Sequence, residues 1–196
     1  MDGSSGVSAP TFLEAPVETT DGVLVCKPPY RQSREVRQVT KKFAEELQQQ
    51  GIISRSSSAW ASPICIARKK DESPRFCVDF RIVNKHLSIP GCSLPCIDDV
   101  LKSFEGKKLF SVVDLVSGFW QIPLKKEDKH KTVFVTAKGH FKLTRLSVGP
   151  PSCLAYFQQL RDLVIRGMKW TCVIAYIDGI IIFSDSFEDH LRHLQQ

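Results

Sequence analysis

Apolar residues recur with two different periods along this chain, and the change of period marks out its elements. Val36, Val39, Phe43 and Leu47 fall at steps of three and four, which predicts one amphipathic helix. Ser33 can cap its start and Gly51 suits its C-terminal turn. The opposite face, with Arg34, Glu35, Arg37, Gln38, Lys41, Lys42, Glu45 and Glu46, is a solvated one. Ile64–Ala67 and Phe76–Phe80 read as short strands, and the turn chemistry from Lys70 to Pro74 makes them a hairpin. After Pro90, Gly91 and Pro95, the stretch Ile97–Phe104 is a helix opened by Asp98 and Asp99. Leu109–Leu115 is a valine-rich run, read as a buried strand, that carries Asp114 near its end. A second hairpin is expected from Thr132 to Leu146, turning at Lys138-Gly139. Leu154–Ile165 is helix-like, with Leu154, Phe157, Leu160 and Val164 on one face. Val173–Tyr176 and Ile180–Phe183 then flank Ile177-Asp178-Gly179, where Asp-Gly accepts the positive φ angles of a type I′ turn. Ser186, with Asp189 three residues on, opens a last helix.

Composition narrows this picture. At 196 residues, 42% hydrophobic and 24% charged, the chain can build a core of its own and resembles neither a disordered nor a membrane polypeptide. Its longest apolar run, Cys172–Ile177, falls short of the roughly 18 residues of a membrane span. Met1–Pro10 has no basic start and no apolar stretch, so no secretory signal is expected. Residues 1–33, with four prolines and no sustained period, read as an extended or disordered lead-in. The seven cysteines are scattered. Cys92 and Cys96 are close, but no second pair sits at zinc-ligand spacing. They are expected to be small buried hydrophobes of an intracellular, reducing setting.

Two carboxylates stand out because each lies at the exit of an apolar strand: Asp114 and Asp178. Converging acids of this kind can hold the divalent ions of phosphoryl transfer. Asp178 is equally a turn residue chosen for its tolerance of left-handed backbone, and Asp114 equally a helix cap or ion-pair member. Around the first hairpin, Arg68, Lys69, Lys70, Arg75, Arg81 and Lys85 form a basic cluster. It can follow a nucleic-acid backbone or simply keep an edge strand soluble. The net charge of +6 permits a polyanionic partner.

Taken together, these stretches resemble the reverse transcriptase domain of gypsy-type LTR retrotransposons and, more distantly, of retroviruses. The markers run in family order. They begin with Ser57-Ser58-Ala59-Trp60-Ala61-Ser62-Pro63, Lys69-Lys70-Asp71 and Arg75 through Lys85. They continue with Leu94-Pro95-Cys96-Ile97-Asp98, Phe110 through Ile122, Lys131-Thr132-Val133-Phe134, Gly139-His140-Phe141 and Tyr176-Ile177-Asp178-Gly179. The resemblance implies an α+β polymerase right-hand fold: fingers, and a partial palm whose antiparallel sheet is backed by helices. Fingers would occupy residues 34–88 and 122–152, and palm 89–121 and 153–196. The chain stops in the helix after the last hairpin, so thumb and ribonuclease H domain are expected to be absent.

The resemblance also implies RNA-directed DNA synthesis, by attack of a primer 3′-hydroxyl on the α-phosphate of a deoxynucleotide with two magnesium or manganese ions. Asp114 and Asp178 would bridge the metals, with the Leu115 carbonyl assisting. Lys69 and Arg75 would grip the triphosphate, Phe119 would gate the sugar, and Arg81 and Asn84 would lie near the template. Partners would be an RNA or DNA template-primer, deoxynucleotides and other parts of a polyprotein; oligomeric state stays open. Two departures bear on activity. Where the family has Asp-Asp, this chain has Asp178-Gly179, which is expected to weaken the metal site. The family's Pro-Phe-Gly-Leu and following segment become Ser147-Val148-Gly149-Pro150 and Ser152 through Phe157. Two alternatives stay open beside the polymerase: a catalytically silent nucleic-acid-binding relic, and a fragment with no selected role.

Overall fold

The computed structural model describes residues 14–20, 22–68, 72–88, 91, 95–115, 117–147, 149–176 and 179–195. Its backbone divides into two compact units, Met1–Ile89 with Phe119–Cys153, and Pro90–Gly118 with Leu154–Gln196. Helices and antiparallel sheets are mixed in an α+β arrangement. No described helix is long and apolar enough to cross a membrane.

In the first unit, helix α1 (Arg34–Gln49) begins at Ser33, whose hydroxyl accepts from the Val36 N–H at 3.3 Å. Gly51 follows at φ +69°, a left-handed value that costs glycine little. The buried stripe is Thr40, Ala44 and Leu47, with Val36, Val39 and Phe43 only half-buried at its margin. The centre of this stripe is held by small residues, and the helix contacts the strands Ile53–Arg55 and Pro74–Val78. Strand β1 (Ile53–Arg55), β5 (Phe134–Thr136) and β6 (Gly139–Leu143) form a sheet in the order β1-β6-β5. β2 (Ile64–Arg68) and β3 (Pro74–Val78) form the expected hairpin. Phe43, Phe76, Phe134 and Phe141 meet in series at centroid distances of 6.2, 5.5 and 6.0 Å, tilted, edge-on and stacked in turn, joining helix, hairpin and sheet. Residues 14–20 and 22–33 run extended along this unit with Ala15, Val17 and Val25 buried. Asp128 secures them, accepting the Val17 N–H at 3.0 Å, while Lys131 bridges the Asp128 carboxylate and the Val17 carbonyl.

In the second unit, β4 (Leu109–Asp114), β7 (Val173–Tyr176) and β8 (Gly179–Ser184) form an antiparallel sheet in the order β4-β8-β7. Helix α3 (Ile97–Ser103) contributes Val100 to a cluster with Ile174 and Phe183, against which Phe104 packs. The opposite face packs Val173, Ala175 and Ile182 with Ile165, from the end of α5 (Pro151–Val164), and with Met168. Helix α6 (Phe187–Gln195) starts where expected, the Ser186 hydroxyl accepting the Asp189 N–H at 3.2 Å. His190 then lies between the hydroxyls of Ser111 and Ser184, at 2.8 and 3.0 Å.

Three expectations change. β4 is not a buried strand: Val112 is 72% exposed, and Phe110 and Val113 are exposed as well. It is an edge strand whose cover, through the Phe104–Phe110 contact at 5.4 Å, reaches one end only. On α5 the buried face carries Phe157, Gln158 and Arg161 while Val164 points outward. The guanidinium of Arg161 donates to Gln158 and sits 4.6 Å from the Phe157 ring. The described cysteines are divided: Cys153 and Cys172 are buried, Cys26, Cys65 and Cys96 are exposed, and Cys77 is intermediate, while Cys92 lies outside the described residues. Burial pushes the Cys153 thiol up to about 12.

Candidate active site

The last hairpin sets what stands opposite Asp114. Tyr176 pairs with Gly179, and Gly179 pairs on its other side with Asp114. The glycine is thus the first residue of β8, one position beyond the turn centre expected from Asp-Gly. It lies outside the left-handed region, so the type I′ expectation at Gly179 does not hold. Opposed residues of an antiparallel pair share a sheet face, with Cβ atoms about 4.5–5.5 Å apart. Tyr176, Gly179 and Asp114 therefore form one row across the sheet, and Ile174, Ile181 and Val112 form the next. The Asp114 carboxylate is exposed at the strand end, over an apolar and partly open floor. A Cβ on residue 179 would meet the Tyr176 carbonyl and Val112 Cγ1 at 3.9 Å each, ordinary van der Waals contacts.

Beyond Asp114 the backbone is tightly held. The Gly118 N–H donates to the Leu115 carbonyl at 3.1 Å, and Ser117 takes a left-handed φ of +54°. Gly118 is buried against Phe157, where a Cβ would stand 2.7 Å from the ring. No side chain fits there without displacing Phe157, which accounts for glycine in Ser117-Gly118-Phe119. Ser152 through Phe157 departs from the family at sequence level, yet Phe157 is the residue that closes on Gly118.

The other expected site residues belong to the first unit. Arg75 is exposed on β3, opposite Ala67. Phe119 is half-buried in α4 (Gly118–Gln121). Arg81 begins α2 (Arg81–Lys85) and makes a bidentate pair with Asp79 at 2.8 and 2.9 Å. Tyr30 donates to the same carboxylate at 2.5 Å, and Lys27 donates to Tyr30 at 2.8 Å. The Arg81 hydrogen bonds, then that from Tyr30, hold the Asp79 carboxyl far below the ordinary carboxylate range and raise the guanidinium correspondingly. Asp79, expected as a strand residue, instead lies beyond β3 and accepts the Arg81 N–H at 3.1 Å. The Asn84 amide donates to the Gly149 carbonyl at 3.1 Å, and the Phe80 ring approaches Gly149 closely enough to leave a Cβ only 3.0 Å. This corner ties down Gly149 of the altered segment. Within the basic cluster, Arg68 pairs with Glu72 and Arg81 with Asp79, so part of its charge is compensated. Lys69, Lys70 and Asp178 lie outside the described residues.

Sequence reasoning missed the Lys27–Tyr30–Asp79–Arg81 group and the Gly118–Phe157 contact. Asp79 two residues before Arg81 was a visible cue for the first; nothing local signalled the second.

Comparison with known proteins bears on this geometry. The family model described as "Reverse transcriptase (RNA-dependent DNA polymerase)" matches residues 67–196. The chain is 34% identical over 197 residues to the "Retrovirus-related Pol polyprotein from transposon opus" of Drosophila melanogaster, covering 97% of this chain and 20% of the relative. It is 30% identical over 190 residues to the corresponding polyprotein from transposon gypsy of the same organism, covering 94% and 18%. The "Enzymatic polyprotein" of Cauliflower mosaic virus (strain Strasbourg) is 30% identical over 93% of this chain and 28% of its own. Among solved structures, a foamy viral protease-reverse transcriptase in complex with ds DNA superposes with a TM-score of 0.83 at 22% identity, covering 94% of this chain and 32% of that one. That likeness shows the fold. The chain spans about a fifth of the length of the first of these polyproteins.

Proposed function

We propose a function on one premise: this chain belongs to the reverse transcriptase (RNA-dependent DNA polymerase) family. The fragment carries the palm and fingers of a templated DNA-synthesis site whose third carboxylate is lost, leaving polymerase activity low or absent. The carrying observation is the register Asp114↔Gly179. A carboxylate at residue 179 would lie beside Asp114 on one sheet face, where a shared pair of ions needs it. Glycine offers no ligand there. The two units stand for fingers and palm in this reading.

The donors suit an oxygen-ligated divalent cation. They are the exposed Asp114 carboxylate, the Leu115 carbonyl with one lone pair left beside its Gly118 hydrogen bond, and Asp178 by family pattern. Among the described residues no group of three His, Cys, Asp or Glu side chains converges. In this reading one or two carboxylates would hold magnesium or manganese, with water and substrate phosphates completing the shell. Such ions supply charge neutralisation at the phosphoryl centre and activation of the primer hydroxyl. The protein's own part is positioning. Asp114 fixes the site on a strand end, and the Leu115–Gly118 turn fixes the backbone behind it. Lys69 and Arg75 hold the triphosphate, and Phe119 rejects a 2′-hydroxyl. Arg81 and Asn84 support the template through Asp79 and the Ser147–Pro150 segment, since both already hold protein partners.

The test is primer extension with magnesium or manganese, on this chain joined to a family thumb. Activity should be weak or absent, return with Gly179→Asp and vanish again with Asp114→Asn added. Robust extension by the unaltered chain, abolished by Asp114→Asn, would overturn the claim that residue 179 limits activity.

A further inference from the structure

Two cysteines face each other across the first hairpin, and nothing in the polymerase reading uses them. Cys65 on β2 pairs in register with Cys77 on β3. Their side chains project from the face opposite Ile64, Ile66, Phe76 and Val78, because neighbouring strand residues alternate between faces. Phe76 is the inward member, in contact with Phe43 and Phe134. Cys65 is exposed and Cys77 partly so, and both are free thiols. Partial burial raises the Cys65 thiol first, and the neighbouring Cys77 raises it further.

The geometry points to a modification site: we infer that Cys65 and Cys77 form a reversible disulfide when a small-molecule disulfide, such as oxidised glutathione, is supplied. The ladder tells which kind of pair this is. The Asp79 N–H donates to the Pro63 carbonyl at 2.8 Å, and Pro63 and Asp79 are the pair one step beyond Ile64↔Val78. Hydrogen-bonded and non-hydrogen-bonded pairs alternate, so Cys65↔Cys77 is a hydrogen-bonded pair with Cα atoms about 5.5 Å apart. That lies inside the Cα range of protein disulfides, whereas Cβ atoms of such pairs are somewhat wider than the roughly 3.8 Å a relaxed bridge prefers. The hairpin must tighten locally to close it. A bridge formed this way is strained and exposed, the character of labile disulfides rather than structural ones.

The chemistry balances in two exchanges. A thiolate of the pair attacks the small disulfide and expels one small thiolate, leaving a mixed disulfide on the protein. The facing cysteine, losing its proton, attacks that sulfur and expels the second small thiolate. Two protein thiols are oxidised to one bridge and one small disulfide is reduced to two thiols. The facing geometry favours the second exchange over accumulation of the mixed form.

The experiment is equilibration of the intact chain in glutathione buffers of graded redox poise, acid quench, alkylation and peptide mapping by mass spectrometry. Cys65 and Cys77 should lose alkylation together, in a linked peptide lighter by two hydrogens and restored by dithiothreitol. Cys65→Ser or Cys77→Ser should remove the linked peptide and leave the remaining cysteine glutathionylated. Independent titration of the two positions in the wild-type chain would overturn the inference, as would bridging of either to Cys26 or Cys96. Circular dichroism of both serine variants checks that they remain folded.

Discussion

Gly179→Asp puts a carboxylate directly opposite Asp114, and its cost and benefit can be worked out from the register. Sterically the change is mild, since the new Cβ meets nothing nearer than 3.9 Å and the backbone is not left-handed. Replacing a strand glycine recovers about 0.5 kcal/mol of chain entropy. Two carboxylates about 5 Å apart in mostly aqueous surroundings repel by about 1 kcal/mol. Without metal the variant should therefore match the parent chain to within about 1 kcal/mol, since the two effects nearly cancel. With a divalent ion the repulsion becomes shared ligation. At manganese tenfold above its dissociation constant, binding to the folded state adds about 1.4 kcal/mol. In a chain of this length that corresponds to a rise in melting temperature of about 3–6 °C. Differential scanning fluorimetry across a manganese series, with calcium and buffer controls, measures it. The parent chain should shift less, and Asp114→Asn in the variant should remove the gain. In primer extension, one restored transition-state interaction of about 3 kcal/mol corresponds to about a hundredfold in rate. If the parent and Gly179→Asp chains shift equally with manganese, residue 179 does not share an ion with Asp114. A folded variant without any metal response would refute that sharing as firmly.

Four further outcomes are expected. Asp79→Asn removes the acceptor of the Arg81 fork and the Tyr30 hydroxyl, and should destabilise by about 1–2 kcal/mol at neutral pH, discounted for the exposed guanidinium. Because the folded Asp79 carboxyl lies below its unfolded value of about 4, its contribution is full above that pH and lost on acidification. Urea melts should thus show the gap between parent and variant closing below about pH 4. Gly118→Ala should cost about 1–3 kcal/mol by overpacking against Phe157, partly recovered by adding Phe157→Leu in a double-mutant cycle. His190→Ala should lose about 1–2 kcal/mol in denaturant unfolding, since it strips the imidazole partner from Ser111 while Ser184 keeps His193 at 2.7 Å. If the fingers bind single-stranded RNA, Arg75→Glu should lower the salt slope by about 0.7 for each phosphate that Arg75 neutralises. An unchanged slope would remove Arg75 from that interface.

Much of the fold was legible because its signals are local. The Ser33 cap, the acids opening α3 and the Ser186–Asp189 box each act within one turn of chain, and all three helices start where those residues predict. What failed depended on neighbours far along the chain. The apolar spacing of α1 placed its buried stripe through Val39 and Phe43. The buried stripe instead runs through Thr40, Ala44 and Leu47, turned by one position from that spacing by contacts with strands β1 and β3. On α5, Gln158 and Arg161 are buried because they partner each other and because Gln158 also reaches Asp162 at 3.0 Å. No hydrophobic pattern can foresee that. β4 reads as buried from its valines, yet exposure is set by which sheet edge it occupies, and only pairing with β8 alone reveals that. Asp114 was found as a candidate from its strand end, but what stands opposite it is a matter of register, which is not local.

The two glycine hairpins show the same division between local signal and register. Both were expected to turn on an x-Gly dipeptide, and in both the glycine instead opens the returning strand: Gly139 pairs with Thr136, and Gly179 with Tyr176. They differ in what they demand of the backbone. Gly139 sits at φ +113°, where a side chain would be strained. Gly179 does not, and has ordinary room for a Cβ. The backbone therefore gives no reason for glycine at 179, whereas it does at 139 and, sterically, at 118. Asp114 keeps its strand, its turn and its open face whichever residue stands opposite. The fold is consequently indifferent to a change at the position where the proposed chemistry calls for a ligand. That is why restoring a carboxylate at residue 179 separates the metal site from the architecture that carries it.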